Sequence, residues 1–309
     1  MIDEGAPRRP LRDAVNKVPA PLFLIGSGLV QYVGAAIAIG LFALMSPSVV
    51  AWWRMVIAGV LLLAWRRPWR HGLTGRDVLL SSVFGVVMGA MNITFYESIS
   101  RIPLGATVPL EFVGPVAVAV VRGRGWKPRV AAVLALVGVG FIGGLGLDTS
   151  EPGVWAGVLL AFAAGAFWAG YIVLGQKIAS TRSGLDSLAI GCMAAGVVYA
   201  PFFSAEGVTA AATSWHVPLL LVGVAILSTF MPYSLEQIAM GRVSAATFAL
   251  LTALLPVTSM LVGAVTLRQI PNAWEFGGLV LISVAVWVAS HPDQPAADPD
   301  LPGGRSDRA

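Results

Sequence analysis

Charged side chains are scarce in this sequence: Asp, Glu, Lys and Arg make up 12% of its 309 residues, while hydrophobic residues make up 57%. A soluble domain is about 25% charged, so too few ionised groups are present to solvate a surface. A soluble globular enzyme is thereby excluded, and lipid must be the main solvent. Cysteine is scarcer still. Cys192 stands alone inside an apolar stretch, where it can form no internal disulfide and reads as a small packing residue. The three histidines, His71, His216 and His291, all fall in loops or at helix ends. No helix therefore offers the histidine that a serine–histidine or zinc intramembrane protease needs. No lysine lies centrally in an apolar run, which excludes a retinal Schiff base. No catalytic residue, cofactor or metal is expected.

The excess of 20 Lys and Arg over 16 Asp and Glu would suggest nucleic acid if the basic residues formed one stripe. They lie instead in short hydrophilic gaps between apolar runs, where anionic headgroups and insertion machinery read them. Nucleic acid is not an expected partner.

What the chain does have is a succession of apolar runs near 20 residues long, the length that spans the hydrocarbon layer. There are ten: Pro21 to Met45, Val49 to Trp65, Val78 to Ile99, Leu104 to Val121, Val130 to Leu147, Val154 to Leu174, Leu185 to Phe203, Val217 to Ala239, Ala245 to Val265 and Ala273 to Ala289. Pro47, Pro103, Pro152 and Gly184 punctuate several joints, which suits tight turns between antiparallel helices. Residues 1–20 carry Arg8, Arg9, Arg12 and Lys17 with no apolar core, and read as a cytoplasmic leader rather than a cleaved signal. Residues 291–309, rich in Pro, Asp and Gly, read as a disordered cytoplasmic tail.

Short loops rich in Lys and Arg stay in the cytoplasm. With the N-terminus inside, the inner segments hold every Lys and Arg except Arg101 and Arg268 in outer loops and Arg54 within a helix. Both termini are therefore expected in the cytoplasm, which requires an even number of helices.

Ten helices can be two copies of five, and an odd number per copy inserts the second copy upside down. Sliding the chain on itself by 141 positions pairs Arg101 with Arg242, Leu110 with Leu251, Pro115 with Pro256 and Val116 with Val257, laying the fourth run on the ninth. A shift of 137 sets Gly28 on Gly165 and Gly59 on Gly196, laying the first two runs on the sixth and seventh. Chance alignment of Gly-rich helices is the competing account. Both shifts, however, preserve helix order, and the loop charges fit the inversion. The expected fold is an all-α membrane protein of ten transmembrane helices in two inverted five-helix repeats, residues 21–147 and 148–290. Such an organisation implies a substrate site near mid-membrane between the halves, with rocking between inward-open and outward-open states. Pro109, Pro115 and Pro256 each remove a backbone hydrogen bond and free a carbonyl, so they are candidate kinks beside that cavity, with plain packing as the alternative.

Ionisable groups within a membrane helix are costly and point to function. Glu111 is the deepest, midway along the fourth run between Pro109 and Pro115. Removal from water favours its neutral form, so it is a candidate to trade a proton or bind substrate, against a structural ion pair. Arg54 keeps its charge and needs a partner, a carboxylate such as Glu111 or that of a substrate, unless it snorkels to the outer interface. Glu236 lies toward the cytoplasmic end of the eighth run, an inner gate or second binding group as against a structural one. Glu97 is four residues before Arg101 and reads as half of a local ion pair. Asn92 and Tyr96, one turn apart, can offer polar atoms to the same cavity, and Tyr233 and Trp168 are weaker cavity candidates. Gly138-Val-Gly140-Phe-Ile-Gly143 matches a dinucleotide fingerprint but follows no strand, so it reads as small-residue packing, as does Gly85-x-x-x-Gly89.

The stretch MNITFYESISRIPLGATVPLEFVGP, Met91 to Pro115, resembles the threonine and homoserine exporter group of the drug/metabolite transporter superfamily, in its EamA branch. Val224-Ala-Ile-Leu-Ser-Thr229 leading into Pro232-Tyr-Ser-Leu-Glu236, and Gly165-Ala-Phe-Trp168, reinforce the likeness. The resemblance implies ten helices in two inverted repeats and export from the bacterial cytoplasm, driven by the proton gradient. Asn92, Tyr96, Glu111, Pro115, Tyr233 and Glu236 fall on family-like motif positions, and Arg54 resembles the arginine that opens the second helix. Glu97 stands where that pattern has an apolar residue.

A small zwitterion suits such a site, its ammonium meeting Glu111 and its carboxylate Arg54. The expected partners are that substrate, protons and membrane lipid, with assembly into a homo-oligomer left open. A drug exporter or uptake carrier of the same superfamily is the first alternative. A receptor or scaffold that transports nothing is the second.

Overall fold

The computed structural model describes residues 20–122, 126–179, 183–211, 214–240 and 255–290, which form helices and their connecting turns. The leader (1–19), the tail (291–309) and positions 241–254, which include the start of the ninth apolar run and Arg242, lie outside the described residues.

The helices are α1 (Ala20–Leu41), α2 (Pro47–Arg66), α3 (Gly75–Ile99), α4 (Leu104–Glu111), α5 (Val113–Arg122), α6 (Lys127–Val139), α7 (Val154–Ala179), α8 (Gly184–Ala211), α9 (His216–Ala225), α10 (Met231–Met240), α11 (Leu255–Leu267) and α12 (Ala273–Ser290). Among the described residues, five helices are long and apolar enough to cross a membrane: Pro47–Arg70, Gly75–Ile99, Val154–Ile178, Gly184–Thr209 and His216–Ala239. Shorter apolar helices accompany them. Large apolar side chains such as Leu79, Leu159, Phe202 and Leu219 face outward, while Arg54, Asn92, Glu111 and Glu236 are buried. Apolar outside and polar inside is the arrangement that lipid, not water, stabilises.

Local chemistry sets the breaks. α2 starts at Pro47, where a missing N–H costs nothing, and ends in left-handed Arg67 at φ 50°. α3 starts after Thr74, whose N–H is taken by the Asp77 carboxylate at 2.9 Å. The fourth apolar run, expected to be one helix, splits at Phe112 into α4 and α5. Pro115 has no N–H to give to the Glu111 carbonyl, so one hydrogen bond of the helical ladder is missing at the break. Pro256 lies in the first turn of α11, and the residues on which a kink there depends fall outside those described. The fifth and eighth runs also depart from plain helix, through π-turns at Gly140–Gly146 and Ile226–Phe230. The second of these links α9 to α10 and buries Ser228 and Thr229.

α2 packs on α8, α6 on α12, and α4 on α11. α3 packs on α7 as α1 packs on α10, and α5 packs on α7 as α11 packs on α1. Each of these pairings joins a helix of the first five apolar runs to one of the last five.

Contacts at the glycines are reciprocal. A Cβ at Gly59 would meet Met193 Sδ at 2.8 Å, and one at Gly196 would meet Val56 Cγ2 at 3.0 Å. A Cβ at Gly138 would meet Ile282 at 2.7 Å, and one at Gly278 would meet Ile142 at 2.5 Å. Of the dinucleotide-like stretch, Gly138 packs against α12, whereas Gly140 has nothing within 4 Å. The Gly85 and Gly89 stripe is a helix-packing surface, which backs onto Gly191 and onto Ala195 and Tyr199. In both pairs, α2 with α8 and α6 with α12, rising numbers meet falling ones, so the partners are antiparallel.

Charge fastens α2 to α8 at both ends. Glu206 of α8 accepts from the Ser46 N–H at 2.6 Å and from its hydroxyl at 3.0 Å, before the first turn of α2. At the far end Arg66 Nε meets Asp186 at 2.8 Å, His71 Nδ1 meets the other oxygen of that carboxylate at 2.8 Å, and Arg66 also reaches Ser183. Glu97 of α3 accepts from the Ser48 N–H at 3.0 Å and its hydroxyl at 2.5 Å, and pairs with Arg101 at 2.6 Å. The local ion pair expected of Glu97 is present, and it also holds the start of α2.

Candidate functional site: a polar cavity between the halves

A cavity of about 30 Å³ lies between six of these helices. Its walls are Gln31 and Tyr32 of α1, Met91, Asn92 and Phe95 of α3, Glu111 of α4, Trp168 of α7, Tyr233 and Glu236 of α10, and Leu255 of α11. Three of these helices, α1, α3 and α4, lie before residue 148 and three, α7, α10 and α11, lie after it, so both parts of the chain build the cavity.

Glu111 arrives here because its helix ends at it. Gly165 of α7 gives α4 room to do so, since a Cβ at that position would fall inside contact distance of the Glu111 carbonyl. The Glu111 side chain, 7% exposed, makes no hydrogen bond or ion pair among the described residues. Glu236, equally buried, accepts from the Ser27 hydroxyl at 3.4 Å, and that hydroxyl also lies 3.2 Å from the Pro232 carbonyl.

Asn92 and Tyr233 are joined: the tyrosine hydroxyl donates to Asn92 Oδ1 at 3.0 Å, and Asn92 Nδ2 donates to the Met88 carbonyl at 2.7 Å. Trp168 packs edge-on against Phe112, ring centroids 4.5 Å apart, beside the break between α4 and α5.

Arg54 and Tyr96 are not part of the lining. The guanidinium donates to the Tyr96 hydroxyl at 2.7 Å and to Ser228 at 3.0 Å, and lies 4.4 Å from the centre of the Tyr96 ring. It is 1% exposed, so it does not snorkel. No carboxylate lies within ion-pair distance among the described residues. Its charge is met by two hydroxyls and a π face in the wall behind the cavity, and the π-turn that buries Ser228 supplies one of them.

The profile of the EamA-like transporter family matches residues 155–290. The Threonine/homoserine exporter RhtA of Salmonella typhimurium (strain SL1344) is 36% identical over 254 residues, covering 82% of this chain and 84% of its own. This chain belongs to the EamA-like transporter family. The Escherichia coli (strain K12) protein of the same name matches to the same extent. A solved crystal structure, 18% identical, covers 86% of this chain and 95% of its own with a TM-score of 0.56, which extends the likeness to the fold.

For an EamA-like transporter the cavity has an uneven chemistry. Two carboxylates face it with no Lys, Arg or His in the lining. Of the sequence candidates, Glu111, Glu236, Asn92, Tyr233 and Trp168 come together around it, and Arg54 with Tyr96 stand behind. Sequence reasoning did not single out Gln31 and Tyr32. A signal was present: the shift of 137 that lays the first run on the sixth sets Gln31 on Trp168.

Proposed function

We propose that this protein is a secondary transporter of the bacterial inner membrane that exports small amino acids of the threonine and homoserine kind by proton antiport. Ten transmembrane helices in two inverted five-helix repeats, residues 21–147 and 148–290, would carry it, with both termini cytoplasmic. The antiparallel packing of α2 with α8 and of α6 with α12 supports that organisation, and so does the asymmetry of loop charge. The observation that carries the function is the pair of buried carboxylates, Glu111 and Glu236, facing one cavity at the junction of the halves.

Two carboxylates in a low-dielectric cavity without a basic neighbour in its lining demand cations. A substrate ammonium can answer that demand, and so can a proton. A site that holds one or the other, and is exposed to each side in turn, exchanges them. Arg54 orients the wall through Tyr96 and lends positive potential to the substrate carboxylate.

One proton entering across 100 mV releases about 2.3 kcal/mol. A pH difference of one unit adds about 1.4 kcal/mol, enough together for a gradient of roughly several hundred-fold. The test is threonine uptake into energised everted vesicles. Uptake that collapses with an uncoupler, and is lost in Glu111→Gln at equal membrane abundance, is the expected result. Parent-level export by the mutant would end this role for Glu111.

A further inference from the structure

Asn92 Nδ2 donates to Met88 and the Tyr233 hydroxyl to Asn92, while behind the wall Arg54 Nη1 donates to Tyr96 and Ser228. The Gln31 carboxamide has no such partner. It makes no hydrogen bond among the described residues, and its oxygen is shut away from solvent with nothing to accept from. A buried polar group left this way is destabilising, and a ligand that completes its bonds removes that cost.

The shape of the need identifies the ligand group. A carboxamide presents an acceptor and a donor side by side. A hydroxyl both donates and accepts, and so complements it. An ammonium only donates and is drawn to Glu111 and Glu236, while a methyl group does neither. The equivalent position in the other half carries the Trp168 indole, so the cavity is polar on α1 and aromatic on α7. A ligand with one polar and one apolar flank suits that difference.

We propose that Gln31 is the specificity-determining residue that reads the side-chain hydroxyl of the substrate, while Glu111 and Glu236 hold its ammonium. This rests on the reading of the protein as an amino-acid exporter. A site that must bond a hydroxyl rejects the analogue lacking it, because the amide then stays unpaired in the bound state. Valine is the informative analogue, since it replaces the hydroxyl of threonine with a methyl of similar size.

The experiment compares proton-driven uptake of labelled threonine and valine into everted vesicles carrying the full chain. Wild type should favour threonine by at least about tenfold. Gln31→Leu should bring the ratio close to one with valine uptake retained, and Gln31→Asn should restore part of the preference. An unchanged ratio in Gln31→Leu overturns the proposal. Should that variant lose uptake of both substrates, Gln31→Met decides by the same ratio. Wild type that moves both amino acids equally overturns the role of Gln31 and leaves amino-acid export standing. Wild type that moves neither overturns the export reading, and this inference with it.

Discussion

The hydroxyl of Tyr233 donates to Asn92 Oδ1 at 3.0 Å across 141 positions of sequence, the same interval that lays the fourth apolar run on the ninth. The bond thus ties α10 to α3 at the cavity wall. Tyr233→Phe removes the donor and leaves the Asn92 oxygen unpaired, for an expected loss of about 1–2 kcal/mol. Thermal unfolding in detergent measures it, and an unshifted transition would mean that the bond contributes nothing.

Gly165 is where α7 touches the carbonyl of Glu111. A methyl group there forces the two helices apart, and overpacking of this kind costs about 1–3 kcal/mol. Gly165→Ala is expected to lose at least about tenfold of threonine uptake. Gly40→Ala, at a site with nothing within 4 Å of the new Cβ, should be silent. Equal activity of the two variants would remove Gly165 from the account.

Arg54 donates to both Tyr96 and Ser228 from one nitrogen, Nη1, and its planar guanidinium lies against a tyrosine ring. Lysine keeps the charge but offers a point donor in place of the planar fork. Arg54→Lys should reach the membrane in normal amount and transport about tenfold more slowly. Wild-type rates in this variant would show that charge alone suffices.

Asp186 gathers Arg66 and His71 in the first turn of α8. Asp186→Asn leaves both without their anion, and the partly exposed Arg66 limits the expected loss of stability to about 1 kcal/mol. The difference from wild type should shrink as salt is raised, because the pair is screened. A salt-independent difference in unfolding would point to packing instead.

Glu111 and Glu236 were legible in the sequence because an ionisable residue in an apolar run is informative wherever its helix faces. Gln31 was not, since a neutral amide on a helix matters only once the rotation of that helix is known. Arg54 was recognised as needing a partner, but the partner turned out to be Tyr96 with Ser228. The latter depends on a π-turn, and no spacing rule marks where a helix takes up an extra residue per turn.

The sequence by itself determined the solvent, the apolar helices and the scarcity of charge, because each is a property of composition and local run length. The family, too, could be read from local motifs. Tertiary structure alone decided which faces meet, and so put two carboxylates on one cavity, set Arg54 behind its wall and left the Gln31 amide unanswered. Side-chain direction depends on how helices rotate and break against one another, and that is settled only by packing between residues far apart in the chain.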